Sequence, residues 1–268
     1  MISVDQDFQD ALQQPIKRVS GYLVLQDGTE VEPDGDLKKF TINATGDYLK
    51  TAMSEIKATL IGQQEDLADT MLDAYYGVFY DDEWHWELKG KFNIIEAEYK
   101  KGEEVTEIKG YDNMVHFAQE YFSVGEYPSD LKDYLNAICS GAGVGLETEE
   151  FHNDNLSLDE DLYAGVEEYT FRDVLEDICE VTGTVALINP QGDLELREIK
   201  ETEVTLYYNN LTKYKTGDRY GSINSLVLSR QPQNDNIFIQ DEEDINRPTT
   251  RNIMDLDKFN VTYSAEEA

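Results

Sequence analysis

The feature that most constrains this chain is a series of short segments, between residues 21 and 110, in which apolar and polar residues alternate between turn residues. Residues 21–25 and a segment from Glu30 flank Gln26-Asp27-Gly28-Thr29, and an Asp-Gly pair in this position favours a type I′ hairpin. Further strands are predicted at 39–43, 55–61, 76–79, 85–88, 91–99 and 104–110. Many short strands separated by turns are typical of a barrel or sandwich, so we predict a β-barrel-type domain. Residues 66–75 fit either a strand pair or a short helix.

A change of periodicity follows Tyr111. Between residues 112 and 122 the apolar residues Met114, Val115, Ala118, Tyr121 and Phe122 fall at helical spacing. We therefore predict a helix whose apolar face packs on the preceding barrel. This helix would close a first domain at residues 1–122.

An internal duplication begins after Tyr127-Pro128. The first copy contains Leu131, Asp133, Leu135, Ile138, Cys139 and Gly143, and the second contains Phe171, Asp173, Leu175, Ile178, Cys179 and Gly183, 40 residues later. Each copy predicts a helix that ends at a glycine, followed by a strand at 144–148 or 184–188, with Ser129 and Thr170 as the N-caps. Two copies are too few for a solenoid, so we predict an acidic, pseudo-duplicated α/β domain at residues 123–203.

The last third of the chain returns to β character. Asn189-Pro190-Gln191-Gly192-Asp193 predicts the turn of a hairpin that leads into Leu194 and Leu196. Strands are predicted at 204–208, 222–229 and 236–240, whereas 241–268 is polar and lacks a core pattern before Phe259, Val261 and Tyr263. We assign 204–268 to a second β-barrel-type domain, expected to be partial and to have a polar C-terminal end. The whole chain is thus predicted to be α+β.

Residues that could carry chemistry are few and scattered. Cys139 and Cys179 are expected to be reduced, buried thiols, and His85, His116 and His152 lack the spacing of a metal site or a catalytic triad. Alternation along a strand would place Trp84 and Trp86 together in the core and His85 on the surface. We assign no catalytic, cofactor-binding or metal-binding residue and expect no enzyme activity.

Two local patterns resemble ligand sites without meeting their requirements. Residues 153–161 lack the residue order of a calcium loop. Gly141-Ala142-Gly143-Val144-Gly145 follows a helix, whereas a phosphate-binding loop precedes one, so we interpret it as a helix stop.

The charge is strongly negative. The chain has 268 residues, with 56 Asp and Glu against 22 Lys and Arg and a net charge of -34. Eighteen acids and three bases lie between residues 146 and 203. Such a field repels nucleic acid and anionic membranes, and acids this numerous give carboxylate pairs by chance. No apolar run is long enough to cross a bilayer and residues 1–14 lack a signal pattern, so we expect synthesis and folding in a cytoplasm.

Several segments, read in order, resemble one protein family. They are Pro15-Ile16-Lys17-Arg18-Val19 before the hairpin, Gly110-Tyr111-Asp112-Asn113-Met114, Thr170-Phe171-Arg172-Asp173-Val174-Leu175 with Gly192-Asp193-Leu194-Glu195-Leu196, and 220–228. Over residues 15–240 this order is similar to that of phage tail hub proteins of Gram-positive hosts. That group is related to the baseplate hub and to the N-terminal part of tail-associated lysins.

The resemblance implies a homotrimer whose two barrel-type domains alternate in a pseudo-sixfold collar. It would close the tail tube, join the distal tail protein ring to the tip, and open for DNA without binding it specifically. Its partners would include the tape measure protein and tail tip or fibre proteins, and its location would be the virion tail, assembled in the host cytoplasm. Longer relatives continue further, so we expect the rest of the third domain, a fourth domain and a lytic module to be missing.

Three other functions remain open from the sequence. They are a hub-spike protein of a contractile injection system, a cell-wall-degrading tail enzyme with a carboxylate pair, and a receptor-binding module with an aromatic ligand groove.

Overall fold

A computed structural model describes residues 8, 18–33, 35–46, 50–64, 66–159, 161, 163 and 169–198, and the backbone of 225–229, 237–240 and 251–255. This part of the chain is mostly β-sheet with a few helices, which confirms the α+β prediction at that level. Its buried side chains form two main clusters. One lies in the large sheet, between Leu23 and Ile108, and the other lies between Met114 and Leu196, which we call the helical part.

Seven antiparallel strands form the large sheet. They are β1 (Arg18–Leu25), β2 (Glu30–Val31), β3 (Leu37–Gly46), β4 (Ala52–Ile61), β5 (Met71–Tyr80), β6 (Glu83–Lys100) and β7 (Val105–Tyr111). Their order across the sheet is β2-β1-β5-β6-β7-β4-β3. On β4, Ile56, Ala58 and Leu60 are buried while Lys57 between them is exposed. The sheet core therefore forms by the period-two alternation that the sequence displays.

The predicted strands are present, with two differences of extent. Residues 66–75 are a turn followed by the start of β5. The segments predicted at 85–88 and 91–99 form one strand, β6, because the pairing with β5 continues past a bulge in which Tyr75 faces Leu88 and Ala74 faces Gly90. One extra residue, Lys89, interrupts the ladder without ending the strand.

The described sheet is open: the strands predicted to form a β-barrel-type domain do not close into a barrel within the described residues. β2 pairs with β1 only at Leu23 and Val24, and β3 pairs only with β4 within the described residues. The sheet nevertheless curls until β3 approaches β1: a Cβ atom on Gly21 would lie 2.6 Å from two ring carbons of Phe40. The Phe40 side chain lies between β3 and β1, where closure of the barrel would require backbone hydrogen bonds between these two strands.

The helix predicted over 112–122 is a shorter 3-10 helix, Asn113–Ala118. Its N-cap is Asp112, and the backbone becomes extended at Gln119. Met114 and Phe117 are buried in the helical cluster, so they do not pack on the sheet alone.

Two helices of equal length form the pseudo-repeat. They are α1 (Leu131–Ala142) and α2 (Phe171–Thr182), and each ends at a left-handed glycine, Gly143 or Gly183, as predicted. Thr170 caps α2, but the prediction of Ser129 as the cap of α1 is wrong, since the Asp130 side chain accepts from the Asp133 amide at 2.8 Å. The interpretation of 141–145 as a helix stop is confirmed.

Strand pairs complete the helical part. β8 (Ser129–Asp130) pairs with β9 (Ser157–Leu158), and β10 (Thr184–Ile188) forms the predicted hairpin with β11 (Leu194–Glu198). The strand predicted at 144–148 is wrong: Leu146 makes only an isolated parallel bridge with Leu194.

Three further strands are described by their backbone alone. β12 (Ser225–Ser229) pairs antiparallel with β13 (Ile237–Gln240) and parallel with β14 (Arg251–Asp255). β12 and β13 match predicted strands, and β14 lies in the segment for which no strand was predicted. The predicted strand 204–208 and the residues Phe259, Val261 and Tyr263 lie outside the described residues.

Candidate functional site

The two cysteines are buried, as predicted. Cys139 and Cys179 are 2% and 0% exposed and are free thiols. Burial raises the pKa of each thiol to about 12. Both therefore remain protonated near neutral pH, and they lack the electropositive, accessible setting of a reactive cysteine.

The histidines lie on separate elements. His85 is on β6, His116 is exposed on the 3-10 helix, and His152 is exposed after α1. The Nε2 atom of His85 lies 3.3 Å from the Tyr80 carbonyl oxygen. The described residues contain no group of three or more His, Cys, Asp and Glu arranged to hold a metal ion.

The predicted orientation of the β6 tryptophans is wrong. Trp86 is 38% exposed on the outer face of the sheet, whereas the side chain of His85 is only 11% exposed. His85 pairs with Val78, and Phe8 from the start of the chain covers Val78. Local alternation identified two faces correctly but could not show which of them Phe8 would cover.

Carboxylates of the helical part serve as hydrogen-bond acceptors for a partly buried tyrosine, Tyr121, and a buried one, Tyr163. The Tyr121 hydroxyl donates to the two oxygens of Asp161 at 3.0 and 3.2 Å, and the Tyr163 hydroxyl donates to Asp177 at 2.8 Å. Burial raises the pKa of both phenols, with the nearby carboxylates adding to the effect. These tyrosines stay protonated and can donate hydrogen bonds to the carboxylates.

A buried carboxylate at the end of β7 joins the sheet to the helical part. Asp112 is 4% exposed and accepts from the Ser54 amide at 2.7 Å and from the Met114 amide at 3.0 Å. Burial raises the pKa of Asp112, against the opposing effect of these hydrogen bonds. The Gly110–Met114 segment thus connects the sheet to the helical part, and we call this connection the junction.

Side chains from distant parts of the chain strengthen this junction. The side-chain oxygen of Asn113 accepts from the side-chain nitrogen of Asn93 at 3.0 Å, and the side-chain nitrogen of Asn113 donates to the Gly192 carbonyl oxygen at 2.7 Å. Arg172 Nε donates to the Thr51 hydroxyl at 2.8 Å, and that hydroxyl donates to Glu176 at 3.0 Å. The sheet and the helical part are therefore held together by hydrogen bonds that no local sequence pattern indicates.

A groove opens between β1 and β3, and we call it the seam. It has a volume of about 500 Å³ and is lined by Phe8, Val19, Ser20, Gly21, Phe40, Thr41, Ile42, Tyr76 and Lys89. Among these described residues there is one cation and no carboxylate. Val19 is 51% exposed. Within the described residues β3 pairs only with β4. A strand edge without a neighbouring strand, beside exposed apolar groups, is the usual setting for pairing with another chain.

A second surface, the charged face, covers the outside of β3, β4, β6 and β7. Its cleft of about 370 Å³ is lined by the lysines 39, 57 and 109 and by the glutamates 96, 98 and 107, together with uncharged residues. Glu55 lies 2.6 Å from Lys57 and 3.4 Å from Lys109. The hydrogen bond with Lys57 is the main cause that lowers the pKa of Glu55. Charge is locally balanced here, in contrast to the chain as a whole.

Comparisons with solved structures find similar folds in prophage tail proteins. The 43 kDa tail protein of prophage MuSo2 from Shewanella oneidensis gives a TM-score of 0.53 at 11% identity, over 87% of this chain and 71% of that one. A tail protein from Neisseria meningitidis gives 0.53 at 12%, over 88% and 71%. Prophage tail protein gp18 from Listeria monocytogenes gives 0.52 at 10%, over 87% and 71%.

Sequence comparisons give no match. No family model matches the chain, and no curated protein matches it significantly. Within the described residues, no helix is both long and apolar enough to span a membrane. The chain thus has the fold of prophage tail proteins, and that fold is what the likeness establishes.

Proposed function

We propose that this chain is a structural virion protein that forms a homotrimeric hub at the end of a phage tail. The observation that carries the proposal is the likeness to three tail proteins, two of them from prophages, over 87–88% of the chain. The hub closes the tail tube and links the distal tail protein ring to the tail tip. Its neighbours are the tape measure protein and the tip or fibre proteins, and it joins the tail in the host cytoplasm.

The seam supports assembly through the sheet. Along β1 and β3 it offers strand edges beside an apolar groove, and its described lining residues include no carboxylate that would repel another acidic chain. Main-chain pairing at such an edge gives affinity, and the apolar pockets give register. The charged face adds a surface with little net charge.

The acidic balance supports the passage of DNA. With a net charge of -34, the chain repels phosphates, so DNA can move past it without being retained. We further propose that the hub carries no catalytic activity of its own.

The test is the oligomeric state of the purified chain at high concentration, by sedimentation equilibrium, together with imaging of tails. We expect a trimer in solution and density for it at the distal end of the tube. Ile42→Lys places a charge in the seam and should weaken the trimer, whereas Asn43→Lys, on the exposed neighbouring position, should leave it intact.

Two results would overturn this function. The first is a strict monomer that is absent from virions. The second is cleavage of host cell wall that a single Asp or Glu substitution abolishes.

A further inference from the structure

Both tryptophans of the chain lie on the outer face of β6, beside tyrosines of β1 and β5. The rings of Trp84 and Trp86 stack with centroids 5.2 Å apart and planes inclined by 20°. Tyr22 meets Trp86 edge-on at 4.8 Å and stacks on Tyr75 at 4.7 Å. Each ring is held by another, so the group is rigid before any ligand arrives.

A glycine makes room for this arrangement. Gly77 lies opposite Trp86 in the β5–β6 ladder, and a Cβ atom there would come within 2.4 Å of the indole ring. The indole can therefore lie across β5. It remains 38% exposed.

The rings border a groove of about 720 Å³, which we call the aromatic groove. It is lined by Arg18, Val19, Ser20, Tyr22, Glu32, Pro33, Trp84 and Trp86. This volume is within the range of small-ligand sites, which combine aromatic walls with a few polar groups.

The cation of the groove, Arg18, lies against aromatic rings. The Arg18 guanidinium sits 4.6 Å from the centroid of the Phe79 ring and 5.8 Å from that of Trp84. Burial, with lesser contributions from Tyr75, Glu30 and Glu32, raises the pKa of Tyr22, so its hydroxyl remains a hydrogen-bond donor. Ser20 and Glu32 add a hydroxyl and a carboxylate.

We propose that the aromatic groove binds an uncharged oligosaccharide. The C–H face of a pyranose ring packs on an aromatic ring, and its hydroxyls pair with the polar side chains at the margin. An anionic glycan is disfavoured because the chain carries a net charge of -34. A protein partner would need roughly 20–30 residues a side, whereas eight of the described residues line this groove. The inference rests on the groove alone and does not depend on the proposed function.

The test uses the tryptophan fluorescence of the intact chain, since both fluorophores border the groove. The chain is titrated with four neutral oligosaccharides, built from glucose, galactose, mannose and N-acetylglucosamine, and with an anionic polygalacturonate oligomer. We expect a saturable change with at least one neutral oligosaccharide and a much weaker response to the anionic one.

Variants locate the binding. Trp86→Ala should weaken it about tenfold. Gly77→Ala keeps every ring but displaces the indole, so it should also weaken binding, and it serves if Trp86→Ala fails to fold. Ile95→Ala removes another exposed apolar side chain of β6, 41% exposed and outside the groove, and should bind as the wild type does.

Three outcomes would overturn the inference. One is the lack of a saturable change with all four neutral oligosaccharides. Another is equal weakening by Ile95→Ala and by the groove variants. The third is a fluorescence change that depends on protein concentration without sugar, which would identify the groove as a contact between copies.

Discussion

At the scale of single residues, Asp112 shows how burial and hydrogen bonding compete. Its carboxylate accepts from the amides of Ser54 and Met114, which favours the charged form, yet burial raises its pKa above the ordinary 3.8. Just above that pH the folded state retains a proton that the unfolded state has lost. Ionisation of Asp112 in this range therefore reduces stability.

Asp112→Asn tests this competition. We expect a loss of about 1–3 kcal/mol in the free energy of unfolding near neutral pH. The side-chain NH2 of the new asparagine would face the backbone N–H of Ser54 or of Met114, so two donors would meet without an acceptor. The gap between wild type and variant should widen as the pH falls through the folded-state pKa toward 3.8, since only the wild type gains from protonation. Urea denaturation across this range measures it. The exposed residue Asp159 provides the control Asp159→Asn, and a gap that narrows on acidification would contradict the account.

The buried thiols give a second prediction at this scale. Burial raises the pKa of Cys139 and Cys179 from 9.0 to about 12, which lowers the thiolate fraction near pH 8 about a thousandfold. Ellman's reagent should therefore react with the folded protein far more slowly than with the urea-unfolded chain. Rapid modification of either thiol in the folded state would show that one of them is accessible.

At the scale of elements, the two helices of the pseudo-repeat begin differently. At α2, Thr170 accepts from the Asp173 amide at 3.2 Å and its own amide donates to Asp173 at 2.8 Å, so the two residues cap each other. At α1, Asp130 is the cap, and the Ser129 hydroxyl donates to the Asp130 carbonyl oxygen instead. Two residues able to cap stand side by side, and the sequence does not show which of them the backbone places at the helix end.

Capping substitutions should separate the two cases. Thr170→Ala and Asp130→Ala should each reduce the free energy of unfolding by about 1 kcal/mol, because each leaves helical amides without an acceptor. Ser129→Ala should change it little. Thermal and urea unfolding measure the three variants, and a larger effect for Ser129→Ala than for Asp130→Ala would contradict this assignment.

Most elements could be predicted because their signals are local. Alternation located the strands of the sheet, and the glycines 143 and 183 located the helix ends. Several errors, unlike that at Ser129, arise where a contact between distant parts of the chain determines the structure. Pairing with β5 continues across a one-residue bulge, so β6 does not end before Gly90. Phe8 covers the face of the sheet that holds His85, so His85 is less exposed than the alternation predicted. The junction was missed for the same reason, since Thr51 and Arg172 are 121 positions apart.

At the scale of the whole molecule, the junction makes the sheet and the helical part act as one unit. Besides the Thr51 and Asn113 contacts, the Ala186 amide donates to the Lys50 carbonyl at 3.1 Å, next to an isolated parallel bridge between Thr51 and Ala186. The open shape of the described sheet is likewise a property of all seven strands together. The approach of Phe40 to Gly21 depends on the curl of seven strands, which no segment encodes by itself.

A double-mutant cycle of Arg172→Met and Thr51→Val measures this coupling. We expect a coupling energy of about 1 kcal/mol, because the Arg172 hydrogen bond is lost in either single variant. Tryptophan fluorescence reports on the sheet and far-ultraviolet circular dichroism on the helices, and in the wild type the two transitions should coincide. Strict additivity, or separate transitions in the wild type, would show that the two parts unfold independently.

The Thr51 contact also has a consequence for synthesis. Thr51 leaves the ribosome well before Arg172 and Glu176 are synthesised. More than a hundred further residues must be added before its hydroxyl can form either hydrogen bond. The sheet can form as it emerges, but its contact with the helical part is completed only after α2 has left the exit tunnel. A ribosome that stalls between these points leaves a nascent sheet with one flank still uncovered, at the stage when chaperones can bind it.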